Sequence, residues 1–335
     1  MMWLALITAL SIAADADDRP TVVVVVGAAG ETEYAEQFDA WADRWTGATA
    51  TANARLIRIG GSRENEGGTE PEAAAESATT DRDLLKQQID RLRTSSTQAV
   101  WLVLIGHGTF DGRSARFNLN GPDVSAAELA QWIKPLQMPL AIINCASSSS
   151  PFINELSGQS RVIVTATKSG YEYNFARFGD YLSSSIADPA VDLDKDGQTS
   201  LLEAFLAASA RVREFYTEQS RLATEHALLD DNGDALGTPA DWFRGFRAIR
   251  TAIDGATPDG SRANQFFLNP STEESQMPAE ARQRRDQLEL EIDHLRQQKP
   301  DLAEADYYGR LAPLMVELAR LYSDLEQDRR AEEGK

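Results

Sequence analysis

The chain holds one cysteine and three histidines in 335 residues, and its 33 Lys and Arg are outnumbered by 52 Asp and Glu, for a formal charge of −19. Each shortage excludes something. With a lone Cys145, no intrachain disulfide can form, so cysteine pairing says nothing of the compartment. The deficit of positive charge makes duplex DNA, RNA and anionic lipid poor partners and suits calcium or a cationic substrate better. No run reaches the ~18 apolar residues of a membrane span, so no membrane anchor is expected. No internal repeat is visible. What remains is ordinary: hydrophobic content is 42%, enough for one large domain or a domain with an appendage.

The amino terminus, Met1-Met-Trp-Leu-Ala-Leu-Ile-Thr-Ala-Leu-Ser-Ile-Ala-Ala14, is apolar over the length of a signal-peptide core and turns acidic at Asp15. Small residues at Ser11, Ala13, Ala14 and Ala16 offer cleavage positions, although no Lys or Arg precedes the core. Residues 1–16 are therefore expected to be a signal peptide and the chain to be secreted or periplasmic.

Strand and helix patterns then alternate. Thr21-Val-Val-Val-Val-Val-Gly27 is too β-branched for a helix and reads as a buried strand. Tyr34, Phe38, Trp41 and Trp45 recur at helical spacing over Glu31 to Trp45, and Thr51 to Ile59 alternates as a second strand. Gly60 to Thr80 is poor in apolar residues and reads as a mobile loop that could be cut on activation. A helix over 81–94 leads to the strand Ala99-Val-Trp-Leu-Val-Leu-Ile105. Ser125-Ala-Ala-Glu128 is a capping box opening a helix to about Pro135. Strands at 139–143 and 161–166 follow, then helices at 178–187 and 201–222. This alternation implies a mainly parallel sheet between two helical layers. Beyond Asn269 the composition changes. Charged helices over 282–298 and 303–328 carry apolar residues at spacings of three and four, with Lys299-Pro300-Asp301 as the turn. Residues 269–335 are expected to form a linker and a helical hairpin that packs on the sheet domain, binds a protein partner or self-associates.

The chemistry-bearing residues stand at strand ends. The strong run to Ile105 ends in Gly106-His107-Gly108, and the next apolar run ends in Asn144-Cys145. Parallel strands of an open α/β sheet hold their chemistry at the carboxyl ends. A thiol attacks a carbonyl as its thiolate, an amine leaves as it takes a proton, and histidine is tuned for that transfer. Backbone N–H groups of Gly108 and Cys145 are candidate oxyanion donors. The competing reading is a small buried hydrophobe at Cys145. His226 could pack or bond locally, and His294 sits in a charged helix. Ser147 to Ser150 lack a Gly-x-Ser-x-Gly elbow and read as small polar packing at the site mouth. Gly27-Ala-Ala-Gly30 is only a fragment of a dinucleotide fingerprint.

The pair of strand ends, His107-Gly108 and Asn144-Cys145, resembles the caspase and legumain-type (clan CD) cysteine peptidases, closest to the legumain-like peptidase C13 family, over roughly residues 21–250. The resemblance implies a three-layer α/β/α caspase-like sandwich over 17–268, an α/β fold with a mainly parallel sheet, plus the C-terminal α-helical hairpin. It implies a cysteine-type endopeptidase acting on a peptide or protein, with Cys145 as nucleophile, His107 as proton carrier, and the Gly108 and Cys145 amides as oxyanion hole. A glutamate also stands at the family's position at Glu172. Where legumains carry Asn-x-Arg-His after the first strand, this chain has Glu33-Tyr34-Ala35-Glu36, so the orienting amide is missing. Glu36 and Glu172 are expected to bind substrate and favour a basic side chain. The alternatives are an idle caspase-like binding or assembly module and a C13-type transpeptidase.

Asp192-Leu-Asp194-Lys-Asp196-Gly197-Gln198-Thr-Ser200-Leu-Leu-Glu203 fits the twelve-position EF-hand loop, with carboxylates at positions one, three and five, glycine at six and glutamate at twelve. Asp192, Asp194, Asp196, Gln198, Ser200 and Glu203 are expected to hold a structural Ca2+. Asp230-Asp-Asn232-Gly-Asp234 is a weaker echo without glycine at position six and reads as a plain turn.

Overall fold

The computed structural model describes residues 19–61, 79–95, 99–253 and 256–333; the signal-peptide segment and residues 62–78 of the activation-loop expectation lie outside them. The chain opens with β1 (Thr21–Val26), α1 (Thr32–Thr51), β2 (Arg55–Gly60), α2 (Asp81–Ser95) and β3 (Val100–Ile105). Three short strands follow as a separate antiparallel sheet: β4 (Gly108–Phe110), β5 (Ala115–Phe117) and β6 (Val124–Ser125). Next come α3 (Ala126–Ile133), β7 (Leu140–Asn144), α4 (Pro151–Leu156), β8 (Arg161–Thr165), α5 (Phe178–Ser185) and α6 (Leu201–Glu218). β9 (Leu228–Asp230) and β10 (Thr238–Pro239) close the sheet, and α7 (Ser261–Asn264), α8 (Thr272–Gln276), α9 (Ala279–Gln297) and α10 (Glu304–Glu333) end the chain.

The main sheet has seven strands in the order β10-β9-β8-β7-β3-β1-β2. β8, β7, β3, β1 and β2 run parallel, while β9 is antiparallel to β8 and to β10. Successive side chains alternate faces. Val22, Val24 and Val26 join Trp41, Trp45, Trp101, Phe178 and Phe205 under α1, α5 and α6. Val23 and Val25 join Leu85, Ile89, Phe117, Leu129 and Phe152 under α2, α3 and α4. Both faces are therefore buried, which is why β1, β3 and β7 read as unbroken apolar runs. Each fully buried large side chain contributes ~1.5–3 kcal/mol. The three-layer α/β/α sandwich expected from the sequence is the architecture observed.

The boundary between α1 and β2 falls later than the sequence pattern suggested. α1 runs on to Thr51, because Trp45, Ala48 and Thr49 extend its buried stripe past the exposed Gly47, so β2 starts only at Arg55. The small β4–β6 sheet was not foreseen; strands of two or three residues leave too short a pattern to read.

Of the C-terminal helices, α9 packs on the sandwich, and α10 lies against α9. Leu288, Ile292 and Leu295 of α9 are buried, and Gln265 beside α7 donates to the Asp286 carbonyl at 2.9 Å. Arg285, also buried, pairs with Glu274 and with Asp286 at 2.6 Å. α10 is largely exposed and carries Pro313 within it. Among the described residues no helix is long and apolar enough to cross a membrane.

Candidate active site

β3 and β7 are adjacent and parallel, in register at Leu104 and Asn144. One residue on, the Cys145 amide continues the ladder by donating to the Leu104 carbonyl at 2.9 Å. Strand alternation then turns Ile105, Ile143 and Cys145 to the α1/α5 face. His107 emerges on that same face, with its ring against Tyr34 and Phe38 of α1. Nucleophile candidate and base candidate thus leave neighbouring strand ends on one side of the sheet. The turn between them is tight. A Cβ at Gly106 would come within 3.2 Å of the Gly27 Cα, and one at Gly108 would lie 2.3 Å from the Ser147 carbonyl.

The imidazole of His107 is fixed by main chain and aromatics. Its Nε2 lies 3.2 Å from the Ala29 carbonyl. A carbonyl only accepts, so Nε2 carries the proton and Nδ1 keeps the lone pair. Tyr34 and Phe38 meet the ring edge-on at centroid distances of 4.9 and 5.2 Å, and Phe175 at 6.2 Å. Burial lowers its pKa, with the Ala29 bond opposing, so at neutral pH the ring is an unprotonated base. The orienting group that the sequence lacked as an Asn side chain is supplied by the Ala29 backbone. No side-chain pattern could have revealed it. Tyr34 and Phe38 were visible as a helical stripe, but their contact with His107 was not.

Cys145 is sealed. It is 1% exposed, and a Cβ placed on Gly179 of α5 would lie 2.7 Å from its Cβ and 2.7 Å from the Trp41 ring, so α5 and α1 close directly over it. Burial pushes the thiol up to about 12. Among the described residues the thiol has no hydrogen-bonded base, and the partner of His107 is Ala29. The arrangement therefore holds a neutral thiol and a neutral imidazole at neighbouring strand ends on one face, with no ion pair between them.

Three sequence-based assignments change. The Cys145 N–H is committed to Leu104, so it is not a free oxyanion donor. The Gly108 N–H faces the Ser147 hydroxyl at a long 3.4 Å and is the more readily released donor. Glu172 does not stand open to substrate: its Oε1 meets His226 Nδ1 at 2.6 Å, and its Oε2 accepts from the Lys168 amide at 2.9 Å. Glu36 is exposed on α1. Ser147, Ser148 and Ser149 are buried rather than at a mouth. Ser148 N–H donates to the Glu172 carbonyl at 2.9 Å, and Ser149 N–H to Thr167 Oγ1 at 2.8 Å, tying the segment after Cys145 to the end of β8.

The loop before α6 gathers carboxylates. One oxygen each from Asp192, Asp194 and Asp196 lies within 4.8 Å of the others. Burial, then the charges of Asp196, Glu203 and Asp192, push Asp194 up to about 6. Gln198 Oε1 accepts from the Ser271 amide at 3.0 Å. Ser200 and Glu203 form the capping box of α6, with Glu203 Oε1 also taking the Leu193 amide at 2.6 Å. Carboxylate oxygens gathered this closely are hard donors of the kind that can hold a divalent cation, and Lys195 of the same loop bonds the Asp192 carbonyl.

No family model matches the sequence, and no curated protein matches it. Solved structures similar to this chain include the Drosophila initiator caspase Dronc, at 13% identity and TM-score 0.42, over 66% of this chain and 82% of that one. They also include drICE, at 10% and 0.36 over 65% and 89%, and caspase-1 from Spodoptera frugiperda, at 10% and 0.39 over 64% and 86%.

Proposed function

We propose that this chain is a cysteine-type endopeptidase of caspase-like fold, with Cys145 as nucleophile and His107 as base and acid. The observation that carries the reading is the imidazole held by the Ala29 carbonyl with Nδ1 unprotonated, on the sheet face and neighbouring strand end of Cys145. In the reaction, the thiol proton passes to His107 and the sulfur bonds to the scissile carbonyl carbon. His107 then protonates the departing amine as the C–N bond breaks. Water adds to the thioester, releasing the acid and restoring the thiol. An amine in place of that water would give transpeptidation by the same intermediate. The Gly108 amide is the oxyanion donor in this reading. The sealed thiol favours a second reading, an idle module in which exposed Tyr308, Met315 and Tyr322 of α10 serve a partner or a second copy. An electrophilic acyl-type peptide probe separates the two: labelling of wild type that is lost in Cys145→Ala supports the enzyme, and equal or absent labelling of both supports the module.

Asp192, Asp194, Asp196, Gln198, Ser200 and Glu203 would hold Ca2+, which supplies charge neutralisation and a rigid lead into α6 and takes no part in the chemistry. An exported chain would meet calcium, and export is part of this reading. Calcium at a hundredfold excess over its Kd adds ~2.7 kcal/mol, raising the melting temperature by about 5 °C. In chelator the sign with pH follows from Asp194. Its folded pKa is raised, so the folded chain binds the extra proton, and that share of stability grows as pH falls from 7.5 through 6 and is complete below the unfolded value. Asp194→Asn should remove this pH-dependent share. Melting curves indifferent to calcium would refute the site.

A further inference from the structure

After β9 the chain repeats the geometry of the 192–203 loop. In the first loop the Lys195 amide donates to Asp192 Oδ1 at 2.7 Å, the Asp196 amide to Asp194 Oδ1 at 3.3 Å, and the Gln198 amide to Asp196 Oδ1 at 3.0 Å. In the second, Gly233 donates to Asp230 Oδ1 at 3.2 Å, Asp234 to Asn232 Oδ1 at 2.7 Å, and Leu236 to Asp234 Oδ1 at 2.8 Å. The offsets are identical, so Asp230, Asn232 and Asp234 occupy positions one, three and five. The backbone agrees. φ is +63° at Lys195 and +87° at Gly197, and +84° at Gly233 and +64° at Ala235. Ala235 thus adopts the left-handed conformation for which position six ordinarily uses glycine, and the missing glycine ceases to be an objection.

One difference, independent of the turn itself, points to a ligand. In the first loop the sixth amide, Gly197, donates to Asp192 Oδ2 at 3.2 Å. In the second, the sixth amide, Ala235, donates instead to Ser157 Oγ at 3.1 Å. Asp230 Oδ2 is left buried with no hydrogen bond of ordinary length, although the Ser157 hydroxyl approaches the carboxylate, in a side chain 1% exposed whose Oδ1 is turned into the loop by Gly233. Buried carboxylates are paired, hydrogen-bonded or bound to metal, because the bare charge is costly. Asp231 and Asp259 are also buried beside it, but their oxygens are taken up by main-chain N–H groups and the Thr238 hydroxyl, so neither offers Oδ2 a partner.

We infer that residues 230–236 hold a second divalent cation of the calcium class, through Asp230 Oδ2, Asn232, Asp234 and the Leu236 carbonyl. Position twelve is Asp241, exposed and one methylene shorter than Glu203, so this site is the weaker of the two. Calorimetric titration of the full, chelator-stripped chain with calcium chloride tests it. Wild type should take two equivalents, Asp196→Ala one, Asp234→Ala one, and the double variant none. Asp234→Asn, which keeps an acceptor for Leu236, should weaken the second step at least tenfold, with the circular dichroism of wild type. A single equivalent that vanishes in Asp196→Ala and survives Asp234→Ala overturns this site while leaving the first loop standing. No binding by wild type overturns both.

Discussion

Replacing His107 with alanine lowers the rate at which a peptide electrophile acylates Cys145 by ~10²- to 10⁴-fold, the span that a positioned proton carrier provides. What surrounds the ring sets this effect. Ala29 fixes the protonated nitrogen, and Tyr34, Phe38 and Phe175 exclude water from its faces. The depressed pKa keeps the ring an acceptor at neutral pH, so the wild-type rate should hold its plateau to lower pH than an ordinary imidazole would permit. His107→Ala should leave the melting temperature nearly unchanged, since the ring is only half-buried. Acylation at the wild-type rate in His107→Ala would remove the histidine from the mechanism.

In the unliganded chain, Cys145 should react with iodoacetamide at pH 7.5 at least ~10³-fold more slowly than an unhindered thiol. Its pKa stands near 12 against an ordinary value of 9.0, which alone cuts the thiolate population about a thousandfold. The packing of Trp41 and Gly179 over the Cβ slows access further. The contrast with the first prediction is informative. A peptide probe that labels faster than a small alkylator must open α5 away from Trp41 as it binds, using binding energy that iodoacetamide lacks. Rapid alkylation of the unliganded chain would show that the thiol is not sealed.

Much of this was legible before any coordinates. β1, β3 and β7 announced themselves because strands buried on both faces leave no polar alternation, and His107 and Cys145 could be set at strand ends because those runs stop abruptly at Gly106 and Asn144. The capping box at Ser125 was readable as a spacing, and so was the loop at 192–203. Side-chain commitments were not. Glu172 looked available until His226, 54 residues away in the chain, was found holding it. The Cys145 amide looked free until the ladder reached one residue past the apolar run. The Ala29 carbonyl has no signature in sequence, since every residue carries one. The left-handed backbone at Ala235 was not visible either, because composition registers which residue prefers a conformation and not which residue adopts it.

The closure of Trp41 and Gly179 over the chain's one thiol has a consequence for its survival among oxidants. Peroxide attacks thiolates, and its products beyond the sulfenic acid are irreversible. A neutral sulfur behind an aromatic wall would outlast long exposure to oxidants in the resting chain, becoming vulnerable only in the interval when a peptide has displaced that wall.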